Sequence, residues 1–325
     1  MTASGRWDSF GPMNPTVLCI GGVNLDSKLK LAEPLRMGTS NPVSSRVSSG
    51  GVARNVAENL ARLESRVFLL GVFGDDPEGN RLRGELQKLK IDCSCSLVVS
   101  GKRSGSYTAI EDPEGEMLLA LADMELADSM PVDHFEKNWK TLPRPDAVFL
   151  DTNFSEPVLE WVIERCKKEN LPLHVDPVSI AKSNKLPGQL SGVDTLQPNL
   201  GELESLSGKS LTSDDEQASA CRILLERGVK NVVLSLGSGG LNCINGESRI
   251  RIETNPVQTF DVTGAGDALS AGVLWSCLQG WPMEQACRTG MLMAEKTLQS
   301  KHSVWPELKR EKLLKLLNRD TKDAC

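Results

Sequence analysis

The chain has 325 residues, 39% hydrophobic and 25% charged, with a formal net charge of −6. That is a globular composition at a length that allows one large domain or two ordinary ones, and the acidic balance argues against a nucleic-acid partner, whose binder presents a basic face. Nine scattered cysteines do not form a disulfide framework, and no apolar run approaches the roughly 18 residues of a membrane span.

Residues 1–15 are rich in Gly, Pro and Ser and predict a flexible N-terminus. They have neither a signal-peptide core nor an Arg-rich presequence, so the expected location is cytoplasmic. Thr16 to Gly22 (TVLCIGG) reads as a buried strand ending in glycines. Residues 24–48 are polar with little helical period. Val52, Val56, Leu60 and Leu63 follow at spacings of four, four and three, one face of a helix. Arg66 to Gly74 reads as a strand, and Leu82, Leu86 and Leu89 mark a second helix. Residues 93–123 read as two or more strands around the turn Asp112-Pro113-Glu114-Gly115. Cys93-Ser94-Cys95, the only close cysteine pair, lacks a second pair or a histidine at ligand spacing; it is assigned to a strand rather than a zinc site.

The alternation then resumes. A strand at 146–151 precedes a helix with Ser155 as N-cap and Pro157 in its first turn. A strand at 171–176, an acid-started helix closed by Gly228, a strand at 231–237 and helical patterns near 264–279, 282–299 and 306–317 complete the chain. This predicts an α/β fold with a mostly parallel central sheet covered on both faces. The expected organisation is a single domain over 16–320, with a small β-sheet lid built from segments near 24–48 and 93–123.

Five stretches carry candidate chemistry. Asp261-Val262-Thr263-Gly264-Ala265-Gly266-Asp267 precedes an apolar helix, so its glycines would let an anion approach the free N–H groups of the helix head. A carboxylate beside a bound phosphate is unfavourable unless it has a task; the evident task for Asp267 is taking a proton from an attacking hydroxyl. A glycine turn with an acidic first helical turn fits the same letters. Gly50-Gly51 with Asn55, and Asn24 with Asp26 after the first strand, suit a ligand rich in hydroxyls at the C-terminal ends of the strands, or ordinary turns. Asn199 and Glu202 read as a helix cap, or as an outer hold on magnesium and phosphate. Ser235 to Gly240 is a glycine turn that can pass under a nucleotide, or a plain turn.

Other sites are excluded. Gly208-Lys209-Ser210 has Leu203 where a phosphate loop needs glycine. No dinucleotide-binding glycine fingerprint stands between a strand and a helix. His134, His174 and His302 do not cluster in sequence, so no histidine metal site or triad is signalled.

Gly50-Gly51-x-x-x-Asn55, Asn199-x-x-Glu202 and Asp261-x-Thr263-Gly264-Ala265-Gly266-Asp267, in that order over roughly residues 16–310, resemble the ribokinase (PfkB) family of carbohydrate and nucleoside kinases. Within it, SNPVSSRVSSGGVARNVAENLA, VDPVSIAK, TLQPNLGELESLSG and especially the segment Ser106 to Met124 resemble the pseudouridine-kinase branch. The resemblance implies a three-layer αβα ribokinase-like fold with a β lid over the sugar. It implies ATP-dependent phosphorylation of a nucleoside 5′-hydroxyl, most simply that of pseudouridine, with Asp267 as catalytic base and Gly264, Ala265 and Gly266 as anion hole. Asp26, Gly50, Gly51 and Asn55, with Asn24 nearby, match the sugar-hydroxyl readers. Asn199 and Glu202 match a motif linked to Mg2+ and phosphate, and Ser235, Gly237 and Gly240 fall in the ATP region. Asp261 and Thr263 match a monovalent-cation site, usually K+, with Val262 replacing a second threonine. Candidate base readers are Ser40, Asn41, Tyr107, Thr108 and Lys182. The alternatives are a kinase for ribose or another nucleoside such as adenosine or uridine, or a catalytically silent nucleotide-binding member. The implied partners are a small-molecule substrate and a second copy paired through the lid, with neither nucleic acid nor membrane.

Overall fold

Each parallel strand carries apolar residues on both of its faces, because successive side chains point to opposite sides and helices cover the two sides. The computed structural model describes residues 14–254 and 257–323, so most of the loose N-terminus expected for residues 1–15 lies outside the described residues. In chain order the strands are β1 (Thr16–Ile20), β2 (Asn24–Leu31), β3 (Val43–Gly50), β4 (Arg66–Leu70), β5 (Val72–Gly74), β6 (Leu97–Val99), β7 (Gly105–Glu111), β8 (Met117–Asp123), β9 (Ala147–Asp151), β10 (Leu173–Asp176), β11 (Thr195–Leu196), β12 (Asn231–Ser235), β13 (Leu241–Asn245) and β14 (Arg249–Ile252). The α-helices are α1 (Val52–Arg62), α2 (Pro77–Lys88), α3 (Glu125–Asp128), α4 (Val132–Trp139), α5 (Glu156–Glu169), α6 (Ile180–Ser183), α7 (Leu200–Ser207), α8 (Asp214–Glu226), α9 (Ala265–Leu278), α10 (Met283–Leu298) and α11 (Arg310–Asp323).

Eight strands form the main sheet in the order β14-β13-β12-β11-β10-β9-β1-β4. It is parallel from β4 to β12, and only β13 and β14 run antiparallel to their neighbours. Strand parity divides the core. Leu18, Ile20, Val148 and Leu150 pack with α4, α5, α7 and α8 on one side. Val17, Cys19, Leu69 and Phe149 pack with α1, α2, α9 and α11 on the other. The result is the three-layer αβα fold that the alternation predicts.

The lid is a separate four-stranded sheet, β3-β2-β7-β8. Its boundaries differ from expectation. β6 pairs with β5 in a two-stranded sheet of its own, so the second lid segment begins at Gly105 rather than near residue 93. Cys93-Ser94-Cys95 is not a strand; it is a turn closed by the Ser96 N–H donating to the Cys93 carbonyl at 3.0 Å. The described cysteines are all free.

Candidate active site

The site lies along the C-terminal ends of the parallel strands, where an open α/β sheet places its ligands. Asp151, the last residue of β9, is buried, and its Oδ2 accepts N–H bonds from Gly22 at 2.8 Å and Ala53 at 2.9 Å. It thereby caps the head of α1 and clamps the glycine pair against the end of β1. Gly51, at the N-cap, has φ +102°, and a Cβ there would stand 2.3 Å from the Gly22 carbonyl oxygen. Glycine is therefore required on both counts. A Cβ on Gly50 would fall 2.2 Å from the Asp26 carboxylate, so Gly50 makes room for that acid. Asp26 is buried and accepts a 2.6 Å bond from the Asn24 amide. Burial pushes its carboxyl above the usual range, against the lowering effect of Asn24.

Opposite this corner stands α9. Its N-cap, Gly264, has φ +84°, and Asp267 is buried in the first turn. Asn55 Nδ2 donates to Asp267 Oδ2 at 2.7 Å, and the Arg54 guanidinium donates to Asn55 Oδ1 at 2.9 Å, fixing which end of the amide faces the acid. Arg54 is held in turn by an ion pair with Glu58. Burial, with the charges of Asp151 and Asp26, outweighs the Asn55 bond and raises the Asp267 carboxyl to about 7. A carboxylate so tuned matches a general base working near neutral pH. Gln197, just beyond β11, donates to the Gly266 carbonyl at 3.1 Å and steadies the turn from below. A Cβ on Gly266 would meet nothing within 4 Å, so there is open space beside Gly266 in the first turn of α9.

Asp176, at the end of β10, lies beside this helix and accepts a 3.2 Å bond from Ser270. Burial and the nearby charges of Glu202 and Asp267 push its carboxyl well up. Asn199 and Glu202 form a reciprocal capping box at the head of α7, each N–H bonding the other's side chain at 2.9 Å. Among the described residues no three acids, histidines or cysteines converge closely enough to cage a metal alone. The crowded carboxylates nevertheless suit Mg2+ arriving with phosphate and keeping its waters. Asn199→Ala removes the cap and is expected to lower stability by about 1 kcal/mol. It should also raise the Mg2+ concentration for half-maximal turnover; stability and Mg2+ titrations measure the two effects separately.

Ser235 lies next to Asn199 across a bridge between the ends of β12 and β11. The following turn is a 3-10 segment over Gly237–Gly239. Gly237 has a positive φ and open space before its Cα, while a Cβ on Gly240 would strike the Ile252 carbonyl oxygen at 2.0 Å.

The proposed cation ligands are engaged by a residue that sequence reasoning missed. Lys28 Nζ, from lid strand β2, contacts Asp261 Oδ1 at 2.6 Å, Asp261 Oδ2 at 2.5 Å and Thr263 Oγ1 at 2.8 Å. Burial pushes the Asp261 carboxyl up, but the Lys28 and Thr263 bonds prevail and hold it below the usual carboxylate range.

The five candidate base readers divide. Tyr107 is in register with Asp26 across β2 and β7, so both point to one face of the lid; Thr108, in register with Ser27, points to the other. Ser40 is exposed in the loop between β2 and β3. Asn41 braces that loop, accepting from the Arg36 N–H and donating to the Arg36 and Thr39 carbonyls. Lys182 bonds Asn153 Oδ1, and Asn153 donates to Asp151 at 2.8 Å, so Lys182 joins the site's acidic network from behind.

A buried carboxylate raised to about 7 at the head of α9, with the buried Asn24, Asp26 and Asn55 beside it, is an arrangement compatible with a phosphotransferase acting on an alcohol. The chain belongs to the pfkB family of carbohydrate kinases, whose model matches residues 14–308. It is similar to the pseudouridine kinase of Escherichia coli K12, with 32% identity over 93% of this chain and 96% of that protein. It is also similar to the guanosine-inosine kinase of Exiguobacterium acetylicum, with 26% identity over 90% and 97% of the two chains. A carbohydrate kinase from Agrobacterium tumefaciens shares the fold with a TM-score of 0.80 and 26% identity, over 94% of this chain and 97% of the other. Membership of this kinase family implies ATP as phosphoryl donor.

Proposed function

We propose that the chain is a nucleoside kinase transferring the γ-phosphoryl group of ATP to the 5′-hydroxyl of pseudouridine. The observation that carries this reading is the 2.7 Å bond between Asn55 and Asp267. It joins the head of the sugar-side helix α1 to the head of α9, so a hydroxyl-reading amide and a proton acceptor meet at one point. Asp26 and Asn24 orient the sugar hydroxyls from the lid side. Asp267 accepts the 5′-hydroxyl proton as the new P–O bond forms. The backbone amides at the head of α9, opened by Gly264, Ala265 and Gly266, receive the charge on the transferring group. Bound magnesium would neutralise phosphate charge, with Asn199, Glu202 and Asp176 as its nearest holders. The lid excludes water, which protects ATP from hydrolysis.

Pseudouridine is favoured by the long match to a pseudouridine kinase. Tyr107 is the base-facing candidate on the lid. The outer face of the lid exposes Val43, Val47, Leu119 and Leu121, which supports a homodimer formed lid to lid. The substrate test is ATP consumption with pseudouridine, uridine, adenosine, guanosine, inosine and ribose. Pseudouridine is expected to lead in kcat/KM by about tenfold or more, since a hydrogen-bonded base edge discriminates strongly. If guanosine or inosine leads instead, the kinase reading stands and the pseudouridine assignment is wrong. ATP binding without transfer to any acceptor would indicate a silent member.

A further inference from the structure

Lys28 and Asp26 are two positions apart on one strand and share a face. On that face Asp26 lies under the glycine corner, and Lys28 reaches across 233 residues of sequence to Asp261. The ammonium is three-coordinated, by both carboxylate oxygens of Asp261 and by the Thr263 hydroxyl. Asp261 Oδ1 also accepts the Thr263 N–H at 2.9 Å, so the oxygens turned toward Lys28 form a compact cup. That cup is the place expected from the sequence to hold a free monovalent cation. A second cation beside the ammonium would meet a like charge at close range and a carboxylate already neutralised. The residues present therefore do not fit an exchangeable ion.

We propose that Lys28 is a positioning residue: its ammonium serves as a tethered cation for Asp261 and Thr263, replacing a bound ion and latching the lid to the loop that leads into Gly264. Asp26 and Lys28 lie on one short stretch of strand, so the lid's engagement with the sugar and the setting of the anion cradle are mechanically linked. A free ion would order the cradle whatever the lid was doing. The tether orders it only when β2 is in place over the sugar, so phosphate is gripped tightly only after the acceptor is enclosed. The inference rests on the kinase reading for its catalytic consequence, while its binding consequence stands apart from it.

The test compares wild type with Lys28→Met and Lys28→Ala in buffers whose only monovalent cation is K+, ammonium or choline. Wild type is expected to show the same kcat and the same melting temperature in all three. Lys28→Met should lose about tenfold or more in kcat in choline, the range for a displaced supporting group. Lys28→Ala, which leaves room for an ion, should be partly rescued by ammonium or K+, with a rise of about 1–3 °C in Tm over choline. A wild type activated or thermally stabilised by K+ over choline would overturn the proposal, because an ion would then occupy the cup despite Lys28. Variants with unchanged kcat and no cation response would overturn it too. The Tm comparison needs no substrate, so it decides the tethered-cation assignment even if the nucleoside panel fails.

Discussion

Asp267→Asn is expected to cut phosphoryl transfer to the nucleoside by orders of magnitude while leaving nucleoside binding intact. The amide keeps an oxygen to accept the Asn55 N–H, which in the wild-type pair is 2.7 Å from the carboxylate, so the local geometry survives and only proton acceptance is lost. A loss of about 10²–10⁴-fold in kcat follows from the size of general-base effects. The check is a turnover assay beside a nucleoside-binding titration. A near-normal rate would remove Asp267 from the role of base.

The same carboxylate sets the pH behaviour. Burial first, then the charges of Asp151 and Asp26, raise the folded-state value to about 7. With Asp267 as the proposed base the active form is the deprotonated one, so kcat/KM should climb with pH and level off above about 7. Stability runs the opposite way. Between the ordinary carboxylate range and about 7 the folded state keeps a proton that the unfolded chain has already released, so stability falls as pH rises through that window and is flat above it. Asp267→Asn removes this contribution. The variant should be more stable than wild type at pH 8 by about 1–4 kcal/mol, with the gap closing toward pH 4. Denaturant unfolding at several pH values measures it. A carboxylate held at a cost to stability fits a functional site better than an incidental cap.

Much of this site is legible in the sequence because its parts are local. Gly264 to Asp267 form a turn and the first turn of a helix, and Gly50, Gly51 and Asn55 likewise stand at a helix head, so short-range rules reach them. What the sequence conceals is juxtaposition. Lys28 lies in a polar stretch with little helical period, and its partner Asp261 is 233 residues away; only the tertiary fold brings the lid strand against the loop before α9. Asp151 and Asp176 were visible as the terminal letters of the strand patterns DAVFLD and LPLHVD. An acid ending an apolar strand in an alternating α/β chain stands at the strand end beside which such folds place ligands, and that signal would have found both. Arg54 was hidden differently: it reads as a surface helix residue, yet it is buried against Glu58 and Asn55. Cys93 to Cys95 shows the limit for short apolar runs. Without the partner strand in view, a turn beside β6 is indistinguishable from a strand.

Two glycines in one motif should separate when each is changed to alanine. Gly264 has φ +84°, and an added Cβ would lie 1.9 Å from the Ser303 carbonyl oxygen. That neighbour is backbone and cannot swing aside, so the head of α9 must shift, and Asp267 shifts with it. Gly264→Ala is therefore expected to lower stability by about 2–4 kcal/mol and kcat by about 100-fold, the scale for displaced reacting groups. Gly266 has no such constraint: its φ is not left-handed and its Cβ would enter open space. Gly266→Ala should leave stability within about 0.5 kcal/mol of wild type. With the proposed cradle holding the transferring phosphate, its methyl group would crowd that phosphate, so the KM for ATP should rise and kcat fall while Tm holds. Thermal unfolding and steady-state kinetics on the pair distinguish the two outcomes. If Gly266→Ala is fully active, the space before the helix head is not the phosphate site, and the cradle assigned to Gly264–Gly266 has to be abandoned.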